Sequence, residues 1–400
     1  MTPTATKADP APLSDPLHRR AQPPWLGAGL AASALLLVLA ARYGEDTALL
    51  GLIGIVLGIA LYHGALGFTG AYRRLFTTGD VSGVMVQLVM LAVASILFAP
   101  VLAEGQAFGR SVSGAVAPVG VSMVLGAFLF GIGMQLGGGC GSGTLFTVGG
   151  GDTRMIVTLA FFCLGGFWGS LDLAGWRTLP EVPGISLGQI WGYGPALAVQ
   201  LAVLGFAYLL LKRLGRDGDR PLWPSGGFKL RSLFFGPWPL LFAGTVLAVL
   251  NWGTLVTAGH PWSITWGFTL WGAKAATLVG WDPATSGFWT GGFQARALAA
   301  PVLSDTTSVM DLGIVAGALL AAGAAGRMAP SIGIPPKHLL ASVIGGLMLG
   351  YGARLAYGCN IGAFFSGVAS TSLHGWVWIL AALPGNWLGV KLRPYFGLSS

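Results

Sequence analysis

Three residues in this 400-residue chain carry thiols: Cys140, Cys163 and Cys359. They are too few and too scattered for a disulfide framework, and no CxxC pair suggests a zinc or redox site. Two of them share a setting. Cys140 lies in GCGSGT (Gly139–Thr144) and Cys359 in GCNIGA (Gly358–Ala363). Glycines on both sides of a thiol free backbone N–H groups to point inward, and a helix starting just beyond adds its positive dipole end. Gly139, Gly141 and Gly143 with Ser142 and Thr144, and Gly358 and Gly362 with Asn360, form two candidate anion nests. The thiol is a weak hydrogen-bond donor and a polarizable contact, better matched to sulfur than to a hard oxyanion. Cys163, in the apolar run TLAFFCLGG, reads as packing.

At a constant offset, Gly131, Gly133, Leu136, Gly139, Cys140, Gly143 and Phe146 fall on Gly350, Gly352, Leu355, Gly358, Cys359, Gly362 and Phe365. The shared pattern is GxGxxLxxGCxxGxxxF. Gly166 and Trp168 continue it onto Gly385 and Trp387. A weaker echo pairs GFTGAYRR (Gly67–Arg74) with GFTLWGAK (Gly267–Lys274). The chain therefore reads as a duplication, parallel or inverted, and matched Gly-interrupted apolar segments point to a substrate site between the two halves. Arg354 falls inside an apolar run five residues before Cys359, where a charge is costly. It is a path candidate or a snorkelling end; its repeat partner is Gln135. Arg73 and Arg74 read as an ordinary helix end, Asp282 as a turn cap, and His63, His260, His338 and His374 as packing or interfacial groups.

The elements that must hold these residues are membrane helices. The chain is 54% hydrophobic and 9% charged, with mean hydropathy +0.72, whereas soluble domains carry about 25% charged residues. Its 65 glycines suit close helix packing and non-helical backbone inside a bundle. The formal charge of +8 falls at span ends and in one linker, as the positive-inside bias expects. No basic stripe argues for nucleic acid. No metal-ligand spacing, cofactor motif or nucleotide-binding motif occurs in the sequence.

Uncharged runs predict spans at Leu26–Ala41, Thr47–Tyr72, Val81–Ala103, Met155–Leu171 and Val182–Leu211, with short pieces at GWDPATSGFWTGG, Leu312–Gly326 and Leu339–Ala353 and longer runs at Ser111–Gly151, Ser232–Ala273 and Leu355–Val390. In Ser111–Gly151, a helix over about Val119–Leu136 should end in a Gly-rich break and a re-entrant segment. The predicted architecture is all-α and polytopic, with about nine transmembrane helices plus short re-entrant pieces. The organisation reads as a disordered tail (1–23), a first membrane repeat (24–211), a polar linker (212–231) and a second repeat (232–395).

GGGCGSGT, GARLAYGCNIGA, the GFW and PGNWLG segments and the two-repeat layout resemble the YeeE/YedE family of bacterial inner-membrane proteins, over nearly the whole chain after the tail. The resemblance implies an hourglass bundle with helix–loop segments dipping to a constriction. It implies passage of thiosulfate between cysteines by thiol-to-sulfur hydrogen bonds, a role that transfers to Cys140 and Cys359. Family members are associated with thiosulfate uptake, with selenium metabolism in some branches, and with TusA-type sulfurtransferases as soluble partners. Family thiosulfate transporters use a further cysteine early in the first repeat; GALGFTGAYRR has none. The expected function is import of thiosulfate or a related sulfur anion, in contact with membrane lipid. Transport of a selenium compound, or an intramembrane sulfurtransferase or thiol-exchange enzyme, stands as the alternative.

Overall fold

The computed structural model describes residues 20–216, 218, 222–224, 228–330 and 333–399. Most of the expected N-terminal tail and parts of the linker, Arg220 included, lie outside the described residues.

Seventeen α-helices follow in order among these residues. The first half contains α1 (Pro23–Ala41), α2 (Glu45–Gly64), α3 (Phe68–Thr78), α4 (Ser82–Glu104), α5 (Val121–Gly137), α6 (Gly141–Gly149) and α7 (Thr153–Trp176). A short α8 (Leu187–Trp191) leads into α9 (Tyr193–Leu214) and then α10 (Leu230–Phe235). The second half holds α11 (Leu240–Ala258), α12 (Thr265–Leu278), α13 (Gly292–Ala299), α14 (Thr306–Ala324), α15 (Pro336–Leu355), α16 (Ser366–Ala369) and α17 (Leu373–Leu392). Among the described residues, strand content is confined to two-residue pairs, such as Val119–Gly120 with Glu181–Val182.

Nine segments among the described residues are long and apolar enough to cross a membrane. The chain is an all-α polytopic membrane protein. Hydrocarbon offers the backbone no hydrogen-bond partners, so helices that satisfy themselves are the spanning solution.

Helix association rests on missing side chains. A Cβ on Gly54 would meet the Met310 carbonyl at 2.5 Å, and Gly58 and Gly317 lie just as close to the backbones of Ile314 and Ile55. Two glycine faces, Gly54/Gly58 and Gly313/Gly317, thus clamp α2 along α14 in parallel, with packing as the driving force. The same device sets α5 against two partners. Gly126 and Gly133 lie against Gly352 and Leu349 of α15, which runs antiparallel to α5. Gly131 and Gly385 lock α5 to α17, which runs parallel to it.

One predicted span and one longer apolar run divide into separate pieces. Val182–Leu211 is not one helix: the chain makes a strand pair and the short α8 before α9 starts at Tyr193. Ser232–Ala273 breaks after Ala258, where Gly259 (φ 76°) ends α11, and re-forms at Thr265 as α12. Asp282 caps a short turn, its Oδ1 accepting from the Ala284 N–H at 3.0 Å.

Candidate functional site

α5 ends where Gly138 adopts a left-handed conformation (φ 91°), which glycine takes without a Cβ penalty. Two residues later Cys140 is extended (φ −87°, ψ −165°) and stands at the N-cap of α6. Its Sγ takes the place of the usual capping oxygen, accepting from the Gly143 N–H at 3.4 Å, with the Ser142 hydroxyl 3.5 Å away. The Thr144 hydroxyl donates to the Cys140 carbonyl at 2.8 Å. Thr144 is therefore occupied in holding the turn, while Ser142 faces the thiol.

The second turn follows the same steps. After α15, Tyr357 is left-handed (φ 59°) and Gly358 has φ 144°. Cys359 is extended (φ −112°, ψ −167°), and its Sγ accepts from the Ile361 N–H at 3.4 Å. Here the segment Asn360–Phe365 is a π-helical turn that runs on into α16. Left-handed Gly138 and Tyr357, and extended Cys140 and Cys359, occupy equivalent places at the constant sequence offset. Because α5 and α15 are antiparallel, the two turns enter from opposite senses.

They meet at Gly141. A Cβ there would stand 3.1 Å from Cys359 Sγ and 3.1 Å from Ile264 Cγ2. Only a glycine lets the sulfur of one turn rest on the backbone of the other. Both thiols are free and fully buried. The loop that brings Ile264 into place is tied by Asn251. Its Oδ1 accepts from the Trp262 N–H at 2.9 Å, and its Nδ2 donates to Ser366 Oγ at 3.2 Å. Ser366 in turn donates to the Trp262 carbonyl at 2.9 Å.

Around this contact lie polar groups without partners. Tyr72 from α3 lies within electrostatic reach of Cys140 and Asn360, and its buried hydroxyl has no hydrogen-bond partner. Both ends of the Asn360 amide and the Trp262 indole N–H are buried and unpaired. Buried polar atoms are nearly always satisfied in proteins, so these unpaired groups stand out in the core. Phe68 and Phe364 pack edge-on at 6.5 Å, with Trp378 stacked behind Phe364.

On one side the glycine turn opens into a cavity of about 170 Å³ lined by Thr69, Arg73, Arg74, Gly139, Gly143 and Thr147. Arg73 and Arg74, which the sequence presents as an ordinary helix end, thus face the Cys140 turn. Arg74 is steadied by Asp80 at 3.0 Å. Arg354 lies elsewhere. Its guanidinium sits 5.3 Å above the Phe288 ring, its Nε is unpaired, and its Cβ packs on Gly169. Phe288 lines a separate cavity of about 460 Å³ with Ser170, Arg177, Trp281 and Ser286. Cys163 is half-buried on α7, its carbonyl packed on Gly272.

Sequence reasoning did not find Tyr72 or the Trp262–Ile264 loop. The echo of GFTGAYRR in GFTLWGAK was the available signal for the first, because both follow the same kind of break.

Residues 63–388 match the family model described as sulphur transport. The chain is 28% identical over 353 residues to the thiosulfate transporter TsuA of Spirochaeta thermophila, a match covering 84% of this chain and 96% of that protein. It is 32% identical over 165 residues to the probable transporter YedE of Escherichia coli, covering 41% of this chain and 39% of that protein. A YedE of Salmonella typhimurium matches to the same extent. The chain thus spans about two fifths of the length of the YedE relatives it matches. With its charge-poor helices and two buried Gly-Cys turns, this chain belongs to the sulphur transport family of membrane proteins, the YeeE/YedE group.

Proposed function

We propose that the chain imports thiosulfate, or a closely related small sulfur-containing anion, across the bacterial inner membrane along a path through Cys140 and Cys359. The observation that carries this reading is the contact at Gly141, where two buried free thiols from oppositely running turns converge beside unpaired Tyr72 and Asn360. A thiol can donate to the terminal sulfur of thiosulfate, while Asn360, Ser142 and Tyr72 supply donors for its oxygens. A dry, glycine-lined contact would pass the anion from one thiol to the next without covalent chemistry.

The same reading organises the chain as two inverted membrane repeats, 24–211 and 232–395, joined by the linker 212–231, with the substrate site where they cross. α5–α6–α7 would correspond to α15, the π-turn with α16, and α17. Cations cluster at one set of helix ends, including Arg73, Arg74, Arg154, Lys212, Arg213 and Lys391. The positive-inside bias makes that face cytoplasmic. Cys359 then precedes Cys140 on the inward route, and the Arg73–Arg74 cavity is the inner mouth. A soluble sulfurtransferase of the TusA type would collect the product there.

A thiol enzyme would need a base to generate thiolate. The groups that contact the two sulfurs are backbone N–H groups, the Ser142 hydroxyl and apolar atoms, and none can act as a base. The test is counterflow of sulfur-labelled thiosulfate into vesicles of phosphatidylethanolamine and phosphatidylglycerol carrying the purified chain. Label should enter, and unlabelled thiosulfate should compete better than sulfate. No counterflow, or equal competition by sulfate, would sink the substrate assignment; preferential competition by a selenium analogue would move it to selenium.

A further inference from the structure

Asp311 is an acid inside a membrane helix that the thiol path does not use. It lies one and a half turns into α14 and is fully buried, and neither carboxyl oxygen has a hydrogen-bond partner. Intramembrane carboxyls are costly and mark ion or proton routes. An asparagine or leucine would fill the same space for structural purposes.

The neighbouring helix is shaped around this group. A Cβ on Gly267 of α12 would stand 2.6 Å from Asp311 Oδ2. Gly267 lies in the first turn of α12, its N–H donating to the Ile264 carbonyl at 3.0 Å. Ile264 in turn packs at Gly141 beside Cys359. One helical turn therefore joins the carboxyl to the thiol contact, and a change in its charge or hydration bears directly on the loop that closes the site.

The ionisable groups around it come from several elements. Asp305 at the N-cap of α14, Cys163 on α7 and Cys359 lie within electrostatic reach. Lys274 of α12 is bound to the Leu298 and Ala300 carbonyls at 2.7 and 2.6 Å. α2 carries Glu45 and Asp46 in its first turn and Tyr62 and His63 at its far end, and α10 carries Arg231. α1 and α6 bear no ionisable side chain.

We infer that Asp311 is the proton carrier of a proton-coupled uptake cycle: its carboxylate takes one proton from the outer side as the anion enters and releases it inward as the anion leaves. The carboxylate is regenerated each turn, so one proton enters per anion and the cycle carries a net charge of −1 in place of the −2 of the bare dianion. This rests on the transport reading above. It adds the coupling ion, which halves the charge moved against an inside-negative potential and draws on the proton gradient.

The test uses the full chain in the same phosphatidylethanolamine–phosphatidylglycerol vesicles with labelled thiosulfate. One proton per turnover and an acid-outside gradient of about one pH unit, with the membrane potential clamped at zero by potassium and valinomycin, should raise accumulation about tenfold, since each 1.4 kcal/mol is a factor of ten. A protonophore should remove that gain. Asp311→Asn should lose the response to the gradient while keeping counterflow, which needs no net proton movement; Asp311→Glu should retain part of the response. With a pH dye inside wild-type vesicles, thiosulfate entry should acidify the lumen, a readout independent of how the variants fold. A wild type indifferent to the gradient, a lumen that does not acidify, or Asp311→Asn still driven by the gradient would each overturn the assignment. Absence of wild-type counterflow would instead refute the transport reading, and this inference with it.

Discussion

Gly141→Ala adds one methyl at the point where the two Gly-Cys turns meet. Its Cβ would be 3.1 Å from both Cys359 Sγ and Ile264 Cγ2, about 0.5 Å inside the best carbon–carbon separation. Gly141 does not have a left-handed backbone, so the perturbation is steric alone. Overpacking of this kind costs about 1–3 kcal/mol. If Cys359 yields by moving away, that energy is lost from the thiol-to-thiol approach, and the transport rate falls about 5- to 150-fold. Gly205→Ala is the control, because a Cβ on this α9 glycine would meet nothing within 4 Å. Thiosulfate counterflow and thermal unfolding in detergent are read on both variants. The reasoning predicts a large transport loss for Gly141→Ala with a modest fall in Tm, and near-normal transport for Gly205→Ala. Equal transport by Gly141→Ala and wild type, at unchanged Tm, would refute a path through this contact.

Asn251→Ala removes the acceptor of the buried Trp262 N–H and the donor to Ser366. It should cost about 1–3 kcal/mol for the orphaned group, seen as a lowered Tm together with lost uptake as Ile264 leaves the thiols. Gly54→Leu drives a side chain into the Met310 backbone and should abolish a folded monodisperse peak in size-exclusion chromatography. Arg73→Ala should raise the KM for thiosulfate and flatten its dependence on ionic strength, since it removes a cation from the inner mouth; an unchanged salt profile would take Arg73 off the route.

The Gly-Cys turns were legible because their signal is local. A run too glycine-rich to stay helical must break, and the helix expected over Val119–Leu136 forms as Val121–Gly137. Where the sequence marks a span by absence of charge, it misplaces ends that depend on a buried charge. The run starting at Leu312 belongs to a helix that begins at Thr306, capped by Asp305, with Asp311 inside it. Composition places charges at helix ends and so reads a buried acid as a boundary. Val182–Leu211 misleads in the opposite way: its first ten residues lack charge but are held by Ser186 and Thr371 contacts from the far half of the chain. Tyr72, Trp262 and Ile264 join the thiols through long-range packing that no local pattern encodes. Arg354, equally visible as a charge in an apolar run, goes to Phe288 and not to the sulfurs.

The central claim is that the anion crosses by way of Cys140 and Cys359. It is tested most directly by uptake of labelled thiosulfate in cells lacking their own importers, comparing wild type with Cys140→Ala, Cys359→Ala and Cys163→Ala at matched membrane expression. The account predicts that uptake is lost in the first two and retained in the third, since Cys163 packs on α12 away from the Gly141 contact. Normal uptake by Cys140→Ala and Cys359→Ala would contradict it.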